Sequence, residues 1–233
     1  MLDEEYIKMT TLESARVLNL TFHGIGDLLR PLDDGEASVW LSEKRFGEFI
    51  EIARDRPEVR ITFDDGNASD IKYAMPLLVR NGIKAIFFVI ADRVGQKGFL
   101  SSSDLVEMKH CGMEIGSHGM VHKPWRNLDN EAIKEEIYSA KARIEDMLGS
   151  EIYKAACPFG VYDRRSIAAM KSAGFKNAYT SDKGTANSGA WLQARNTIHE
   201  TDAIASVFGL LARSSFSLDS LSIATRSFIK QWR

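Results

Sequence analysis

The chain has 233 residues, of which 44% are hydrophobic and 27% charged, a composition typical of a globular domain that can bury a sizeable core. The formal net charge of −2 provides no basic surface for nucleic acid, and no apolar run approaches the ~20 residues of a membrane helix. The acidic start from Met1 to Tyr6 lacks the features of a signal peptide, and only two cysteines occur. We therefore expect a cytoplasmic protein.

A polar lead-in of residues 1–15 precedes a single predicted domain, residues 16–233, in which no linker or repeat is evident. Short β-branched and aromatic runs predict seven strands, at 16–23, 59–63, 83–90, 113–116, 152–156, 175–180 and 191–198. Amphipathic segments predict helices at 42–54, 69–80, 103–110, 130–148 and 164–173, with Ser42 and Ser103 as N-caps. Two further helices are predicted, one beginning at Thr201 and Asp202 and one in the C-terminal segment from Ser217. The alternation predicts an α/β fold with a parallel sheet covered by helices.

Most of the chemically interesting residues follow a predicted strand directly. They are His23, Asp64, Asp65, His118, Pro158, Phe159, Asp182 and His199. The carboxyl ends of the strands are the edge at which a (β/α) barrel carries its active site. The sequence therefore predicts a TIM-like barrel with a site at that edge.

Asp64 and Asp65 end the strand at 59–63, and two adjacent acids are costly to bury unless positive charge offsets them. Acidic pairs before glycine are also common in surface turns, so the pair alone leaves that alternative open. His118 and His122 strengthen the functional interpretation, because one carboxylate and two imidazoles make a three-ligand metal site. Their spacing of four residues places both rings on one side of a helical turn, or of a loop wound like one. The alternative is a pair of solvent-exposed loop histidines.

The sequences Thr-Phe-Asp-Asp-Gly at 62–66 and Ser-His-x-x-x-His at 117–122 resemble the first two motifs of the polysaccharide deacetylase family, also called NodB-homology or carbohydrate esterase 4. The resemblance covers roughly residues 16–200. It implies an irregular (β/α)7 barrel that removes N-acetyl groups from amino sugars. It also implies that Asp65, His118 and His122 bind the metal, and that Asp64 is the general base that activates a metal-bound water.

Residues 156–162 resemble the third motif of the family, which lines one wall of the substrate groove. By this resemblance Pro158, Phe159, Gly160 and Tyr162 are substrate-binding candidates, and a backbone amide near Phe159 is a candidate for holding the oxyanion. Phe159, Tyr162 and also Trp125 carry rings that can stack on a sugar face. Packing inside the protein is the alternative for each of these rings.

The family pattern has an arginine shortly before the motif-three proline, and this chain has Ala155, Ala156 and Cys157 there instead. Arg195, on the last predicted strand, is the nearest replacement, because barrel closure brings that strand beside the first ones. We expect Arg195 to contact Asp64, directly or through one water; the alternative is a surface arginine.

The general acid has two candidates. The family commonly uses a late histidine, for which His199 is available, and His23 at the end of the first strand is the other candidate.

The expected cofactor is one divalent metal ion, with zinc the best match to the ligands and cobalt, nickel, manganese or iron also compatible. The expected substrate is an N-acylated sugar or a glycan precursor, since a cytoplasmic enzyme does not meet wall polymer. Three alternatives stay open: a deacylase of a small non-sugar amide, a non-catalytic sugar-binding barrel and a non-haem iron oxygenase, which shares the two-histidine, one-carboxylate set.

Overall fold

A computed structural model describes residues 15–212, so residues 1–14 of the predicted lead-in and the C-terminal helix predicted from Ser217 lie outside the described residues. The strands, in chain order, are β1 (Arg16–Phe22), β2 (Gly24–Ile25), β3 (Trp40–Leu41), β4 (Val59–Phe63), β5 (Ala85–Val89), β6 (Glu114–Ser117), β7 (Lys154–Ala156), β8 (Asn177–Thr180), β9 (Ala186–Asn187) and β10 (Leu192–Thr197).

Seven of these strands form a closed parallel barrel in the order β1, β4, β5, β6, β7, β8, β10, and β10 pairs again with β1. The closing register places Asn19 of β1 beside Arg195 of β10 on one side and beside Arg60 of β4 on the other. β9 adds to β1 in an antiparallel sense, and β2 pairs with β3 outside the barrel. The predicted α/β class and the seven-stranded barrel are confirmed, and residues 15–212 form a single domain.

The helices are α1 (Glu43–Ala53), α2 (Met75–Arg80), α3 (Ser102–His110), α4 (Asn130–Ile133), α5 (Ala140–Leu148), α6 (Arg164–Ser172) and α7 (Ile204–Phe208). Short 3₁₀ turns occur at Glu36–Val39, Pro158–Gly160 and Gly209–Leu211. The segments predicted as helices at 69–80 and 130–148 each contain a π-helical stretch, Asp70–Ala74 before α2 and Lys134–Ser139 between α4 and α5. Single π-helical turns are frequent at functional sites. No helix among the described residues is long and apolar enough to span a membrane.

Two predicted helix starts were wrong. The N-cap of α3 is Ser101 and not Ser103, because Ser101 and Asp104 form a reciprocal capping box across the first turn. The helix predicted from Thr201 and Asp202 begins only at Ile204. The Asp202 carboxylate accepts the backbone N–H of His199 at 2.8 Å and so closes the turn before the helix.

Alternation along the strands separates two apolar clusters. Outward-facing side chains join the main core between the barrel and its helices, where Phe63 stacks on Phe87 with ring centroids 4.6 Å apart. Inward-facing side chains form a smaller cluster inside the barrel, made of Ile86, Phe88, Ala156 and Tyr179. The barrel interior therefore has an apolar floor below the carboxyl ends of the strands.

The corrected start of α3 can be tested on its two serines. Ser101→Ala removes the side-chain oxygen that accepts the Asp104 N–H at 3.2 Å, and we expect a loss of about 1 kcal/mol in the free energy of unfolding. Ser103→Ala removes a hydroxyl from inside the first turn and should change that free energy by much less. Urea denaturation of both variants measures the difference, and an equal effect would contradict the assigned cap.

Candidate active site

Asp64 and Asp65 follow β4, and the backbone at this point directs both carboxylates into one cavity. Successive side chains of a strand point to opposite faces, so the two neighbours would separate if the strand continued. The backbone instead enters the left-handed region at Asp65, with φ of 74°, and stays there at Gly66, with φ of 70°. The left-handed conformation is unfavourable for a residue that carries a Cβ, and the structure holds Asp65 there with its side chain buried.

The contact predicted between Arg195 and Asp64 is present. Nη1 of Arg195 donates to Oδ1 of Asp64 at 2.6 Å, and Nη2 donates to Oδ2 at 2.8 Å. Arg195 is 1% exposed, which excludes the surface-arginine alternative. Its guanidinium lies over the ring of Phe88 and donates through Nε to the carbonyl of Thr180 at 3.3 Å. A two-pronged pair of this kind fixes the orientation of the Asp64 carboxylate.

His118 and His122 belong to the loop after β6 and face Asp65. Nε2 of His118 lies 3.7 Å from Oδ1 of Asp65, and Nε2 of His122 lies 3.5 Å from the same oxygen. Nδ1 of His118 donates to the carbonyl of Ala156 at 2.9 Å, which leaves the Nε2 lone pair directed at the carboxylates. Of the two predicted arrangements the helical turn is absent: the histidines lie on a loop with bends at residues 120 and 121, and His122 has a φ of 66°. The loop still brings both rings together, with their centroids 4.8 Å apart.

These three residues fit a metal ion. One potential ligand atom from each of Asp65, His118 and His122 lies within 4.8 Å of the others. Bonds of about 2.0–2.2 Å in tetrahedral geometry separate ligand atoms by roughly 3.3–3.6 Å, close to the distances of 3.7 and 3.5 Å from Asp65 to the two histidines. Oδ1 of Asp65 is buried and has no hydrogen-bond partner among the described residues, whereas both oxygens of Asp64 are engaged by Arg195. The open acceptor therefore belongs to Asp65.

Burial and neighbouring charges set the protonation states of the ionisable groups in the site. Burial opposes the ionised form of Asp64, but the charge of Arg195 and the hydrogen bonds that it donates outweigh burial, and the pKa of Asp64 lies well below its ordinary value. Burial lowers the pKa of His122 to about 4, so its imidazole is neutral near pH 7 and can donate a lone pair. Burial and the charge of Asp65 raise the pKa of Asp70 well above its ordinary value, which favours its neutral form beside the carboxylate pair.

A cavity of about 680 Å³ opens above these residues. One wall is the loop between β2 and β3, which contributes Asp33 and Asp34, and Arg93 pairs with Asp33 at 2.7 Å. The lining also includes Val121 and Phe159, both exposed apolar side chains. Carboxylates can accept hydrogen bonds from hydroxyl groups, and an exposed ring can cover the apolar face of a ligand.

The motif-three candidates divide into exposed and buried residues. Phe159 is 64% exposed, has a φ of 56° and packs its ring 4.3 Å from the ring of His122. Pro158 and Gly160 on either side of it are buried. The side chains of Trp125 and Tyr162 are 0% and 1% exposed, so stacking of these rings on a sugar was wrong and the packing alternative holds. Trp125 belongs to the main core, and the Tyr162 hydroxyl donates to Asp182 at 2.8 Å.

The two candidate acids have different positions. His23 is half-buried, lines the cavity, and has a buried Nδ1 without a hydrogen-bond partner among the described residues. His199 is not among the cavity-lining residues, and its Nδ1 lies 2.8 Å from the carbonyl of Ser38. The structure thus brings His23, and not His199, to the site.

The sequence analysis missed several residues that line the cavity. They are Asp33, Asp34, Gly35, Glu36, Val39, Arg93, Val121, Ser181 and Thr197. Arg93, Ser181 and Thr197 lie at or just after strand ends, which is a signal that the sequence offers. The loop residues 33–36 lie far from any strand end, and no sequence pattern places them over the barrel.

Solved structures of deacetylases have this architecture. The deacetylase PplD of Streptococcus pyogenes, solved in complex with acetate, aligns with a TM-score of 0.74 at 19% identity over 85% of this chain and 99% of that one. BC0361, a polysaccharide deacetylase of Bacillus cereus, aligns with a TM-score of 0.74 at 21% identity over 85% of this chain and 69% of that one. The fold is thus that of the (β/α)7-barrel deacetylases of carbohydrate esterase family 4.

The sequence profile of polysaccharide deacetylases matches residues 51–178, more than half of the chain. The chain therefore belongs to the polysaccharide deacetylase family, a family of hydrolases that act on acetylated polysaccharides. YxkH of Bacillus subtilis is 25% identical over 91% of this chain and 81% of its own length. The peptidoglycan-N-acetylglucosamine deacetylase PgdA of Listeria monocytogenes is 25% identical over 48% of this chain and 24% of its own length.

The Arg195–Asp64 pair generates a prediction on both stability and pH dependence. Arg195→Ala leaves a buried carboxylate without its cation, so we expect a loss of about 3–5 kcal/mol in the free energy of unfolding. The substitution also raises the pKa of Asp64. A depressed carboxyl pKa stabilises the fold above the unfolded-state pKa of about 3.9, and this stabilisation is lost as the pH falls. The variant should therefore lack this stabilisation near neutral pH, and its stability deficit relative to the wild type should shrink as the pH falls and Asp64 becomes protonated.

Urea denaturation between pH 3 and 8 measures both effects. Arg54→Ala is a matched control, because Arg54 pairs with Asp55 on an exposed surface and its removal should be nearly neutral. Equal stability losses in the two variants, with no change in pH dependence, would contradict the role given to Arg195.

Proposed function

We propose that this protein is a metal-dependent deacylase that hydrolyses the N-acyl group, in the first place N-acetyl, of an amino sugar. The observation that carries the proposal is the division of the two adjacent aspartates. Arg195 holds Asp64, and Asp65 offers a free buried oxygen beside His118 and His122. This arrangement supplies a base and a cation site side by side, and family membership supports the reaction class.

Asp65, His118 and His122 would hold one divalent cation. When bound, the cation supplies a Lewis acid that polarises the acyl carbonyl and lowers the pKa of water. Two imidazoles and one carboxylate are ligands that zinc accepts, and we assign zinc ahead of cobalt, nickel, manganese or iron.

Asp64 is the general base in this proposal. Its low pKa keeps it ionised near pH 7, and Arg195 fixes its carboxylate while it accepts a proton from the attacking water. As the water oxygen bonds to the acyl carbon, the backbone N–H of Phe159 is the proposed donor to the developing oxyanion. This N–H donates to no carbonyl among residues 15–212. The C–N bond then breaks, and the acyl group leaves as a carboxylate.

His23 is the proposed acid that protonates the leaving amine. The support is its place in the wall of the cavity that holds Asp64, together with the unpartnered Nδ1. We give His199 no part in the reaction, since its ring is held at the carbonyl of Ser38.

The mixed lining of the cavity supports a sugar as the substrate. Phe159 and Val121 offer an apolar surface to one face of a pyranose ring. Asp33, Asp34 and Arg93 in the same lining offer acceptors and donors for hydroxyl groups.

The assay that tests the proposal follows acetate and formate release from N-acylated amino sugars, chito-oligosaccharides and small non-sugar amides, with and without a chelator. The expected result is acetate release from a sugar substrate, lost with chelator and restored by zinc. Release only from non-sugar amides would reject the substrate class, and activity unaffected by the chelator would reject the metal.

The metal assignment predicts about one divalent ion per chain. His118→Ala removes one of three protein ligands and should lose most of the bound metal. His110→Ala, on the outer helix α3, is the matched control and should keep it. Metal analysis after dialysis measures the content, and full occupancy in a His118→Ala, His122→Ala double variant would contradict the site.

The division between the two aspartates makes a second prediction. Asp64→Asn keeps the metal and loses a factor of about 10²–10⁴ in kcat, because an amide cannot accept the proton. Asp65→Asn instead weakens metal binding. Parallel metal titrations and rate measurements separate the roles, and loss of metal only in the Asp64 variant would mean that they are exchanged.

A further inference from the structure

The two histidines of the site are anchored by different means. The backbone N–H of His118 donates to the carbonyl of Val89 at 2.8 Å, and its ring donates to Ala156. Within residues 15–212 no comparable hydrogen bond anchors the ring of His122, which contacts the rings of His118 and Phe159 and faces Asp65. The position of the His122 ring therefore depends on the shape of the backbone between the histidines.

The backbone of residues 119–121 is held from two sides. The carbonyls of Gly119 and Met120 accept the N–H groups of Ala91 and Asp92, each at 3.0 Å. The N–H groups of Met120 and Val121 point the opposite way, and neither bonds to another backbone group among the described residues.

Glu136 accepts both of those N–H groups. Its Oε2 accepts the Met120 N–H at 3.2 Å and its Oε1 accepts the Val121 N–H at 3.1 Å, while the indole N–H of Trp125 donates to Oε2 at 3.4 Å. The carboxylate thus binds two successive peptide groups, one with each oxygen, which fixes their spacing and direction.

Glu136 is an unusual residue to bury. It is 1% exposed, lies in the π-helical stretch Lys134–Ser139, and forms no ion pair with any described cation. An apolar side chain at such a position generally costs less to bury than a carboxylate does. The site also requires glycine at 119, since a Cβ there would lie 2.4 Å from Oε2.

We infer that Glu136 is a positioning residue for the metal site: its buried carboxylate holds the backbone between His118 and His122 in the conformation that brings both imidazoles to one cation. The inference rests on the metal site of the proposed function. Glu136 touches neither substrate nor cation in this role and acts through the loop backbone alone.

The test measures Co²⁺ affinity and the visible spectrum of bound Co²⁺ for the full chain and three variants. Glu136→Gln keeps the length of the side chain but presents an NH₂ group to one of the two N–H donors. We expect Co²⁺ to bind about 10–100-fold more weakly and with an altered spectrum, as for other residues that orient metal ligands indirectly. Glu135→Gln changes the exposed neighbour on the same turn and should match the wild type in both measurements.

The third variant, His118→Ala, separates the two claims. If it binds Co²⁺ as the wild type does, the metal site of the proposed function is rejected. If it loses Co²⁺ while Glu136→Gln keeps wild-type affinity and spectrum, only the role of Glu136 is overturned, even where Glu136→Gln lowers the Tm.

If Glu136→Gln does not fold, hydrogen exchange of the metal-free wild type tests the inference without any substitution. The amides of Met120 and Val121 should be as strongly protected as those of Ala91 and Asp92 on the other side of the loop. Rapid exchange of both would overturn the inference.

Discussion

The structure depends on how two adjacent carboxylates are buried at the end of β4. Two like charges at neighbouring positions repel each other, and removal from water makes the repulsion stronger. The chain supplies a cation for one of them only: both oxygens of Asp64 bind Arg195, and Oδ1 of Asp65 has no partner among the described residues. This asymmetry is the physical basis for giving two chemically identical side chains different roles.

Barrel closure is what makes the pairing of Asp64 possible. β10 lies next to β1, and β1 lies next to β4, so a long side chain from β10 reaches the end of β4 across the barrel interior. Phe88 and Tyr179 pack around the guanidinium of Arg195 and keep water from the pair. The family pattern that the sequence resembles has an arginine before the proline of its third motif. Here the arginine comes from a different strand, and it reaches the same carboxylate because parallel strands converge at one edge.

Backbone strain is concentrated at the same place. Five non-glycine residues among those described have positive φ, and three of them, Asp65, His122 and Phe159, surround the cavity. Each unfavourable conformation has to be held by its surroundings. The support comes from buried hydrogen bonds at the loop of His122 and from the packing of β4 and β7 around the strand ends. The rigid barrel therefore fixes side chains that a free loop would not hold.

The sequence predicted the barrel and the centre of its site but not the surroundings. Alternating apolar runs identify strands and helices, and Asp64, Asp65, His118 and His122 were recognisable because carboxylate and imidazole groups follow strands directly. Arg195 was predictable from barrel geometry. The burial of Trp125 and Tyr162 was not predictable from the sequence, because a loop has no periodicity that indicates which way a ring faces. Glu136 carried no signal, since its partners are backbone N–H groups, which every residue but proline has.

The most direct test of the account is anomalous diffraction at the zinc absorption edge from crystals grown with Zn²⁺, because it locates the cation relative to both aspartates. The account predicts one strong peak within bonding distance of Asp65, His118 and His122, with Asp64 still paired to Arg195. A peak bonded to both oxygens of Asp64, with Arg195 displaced, would contradict it.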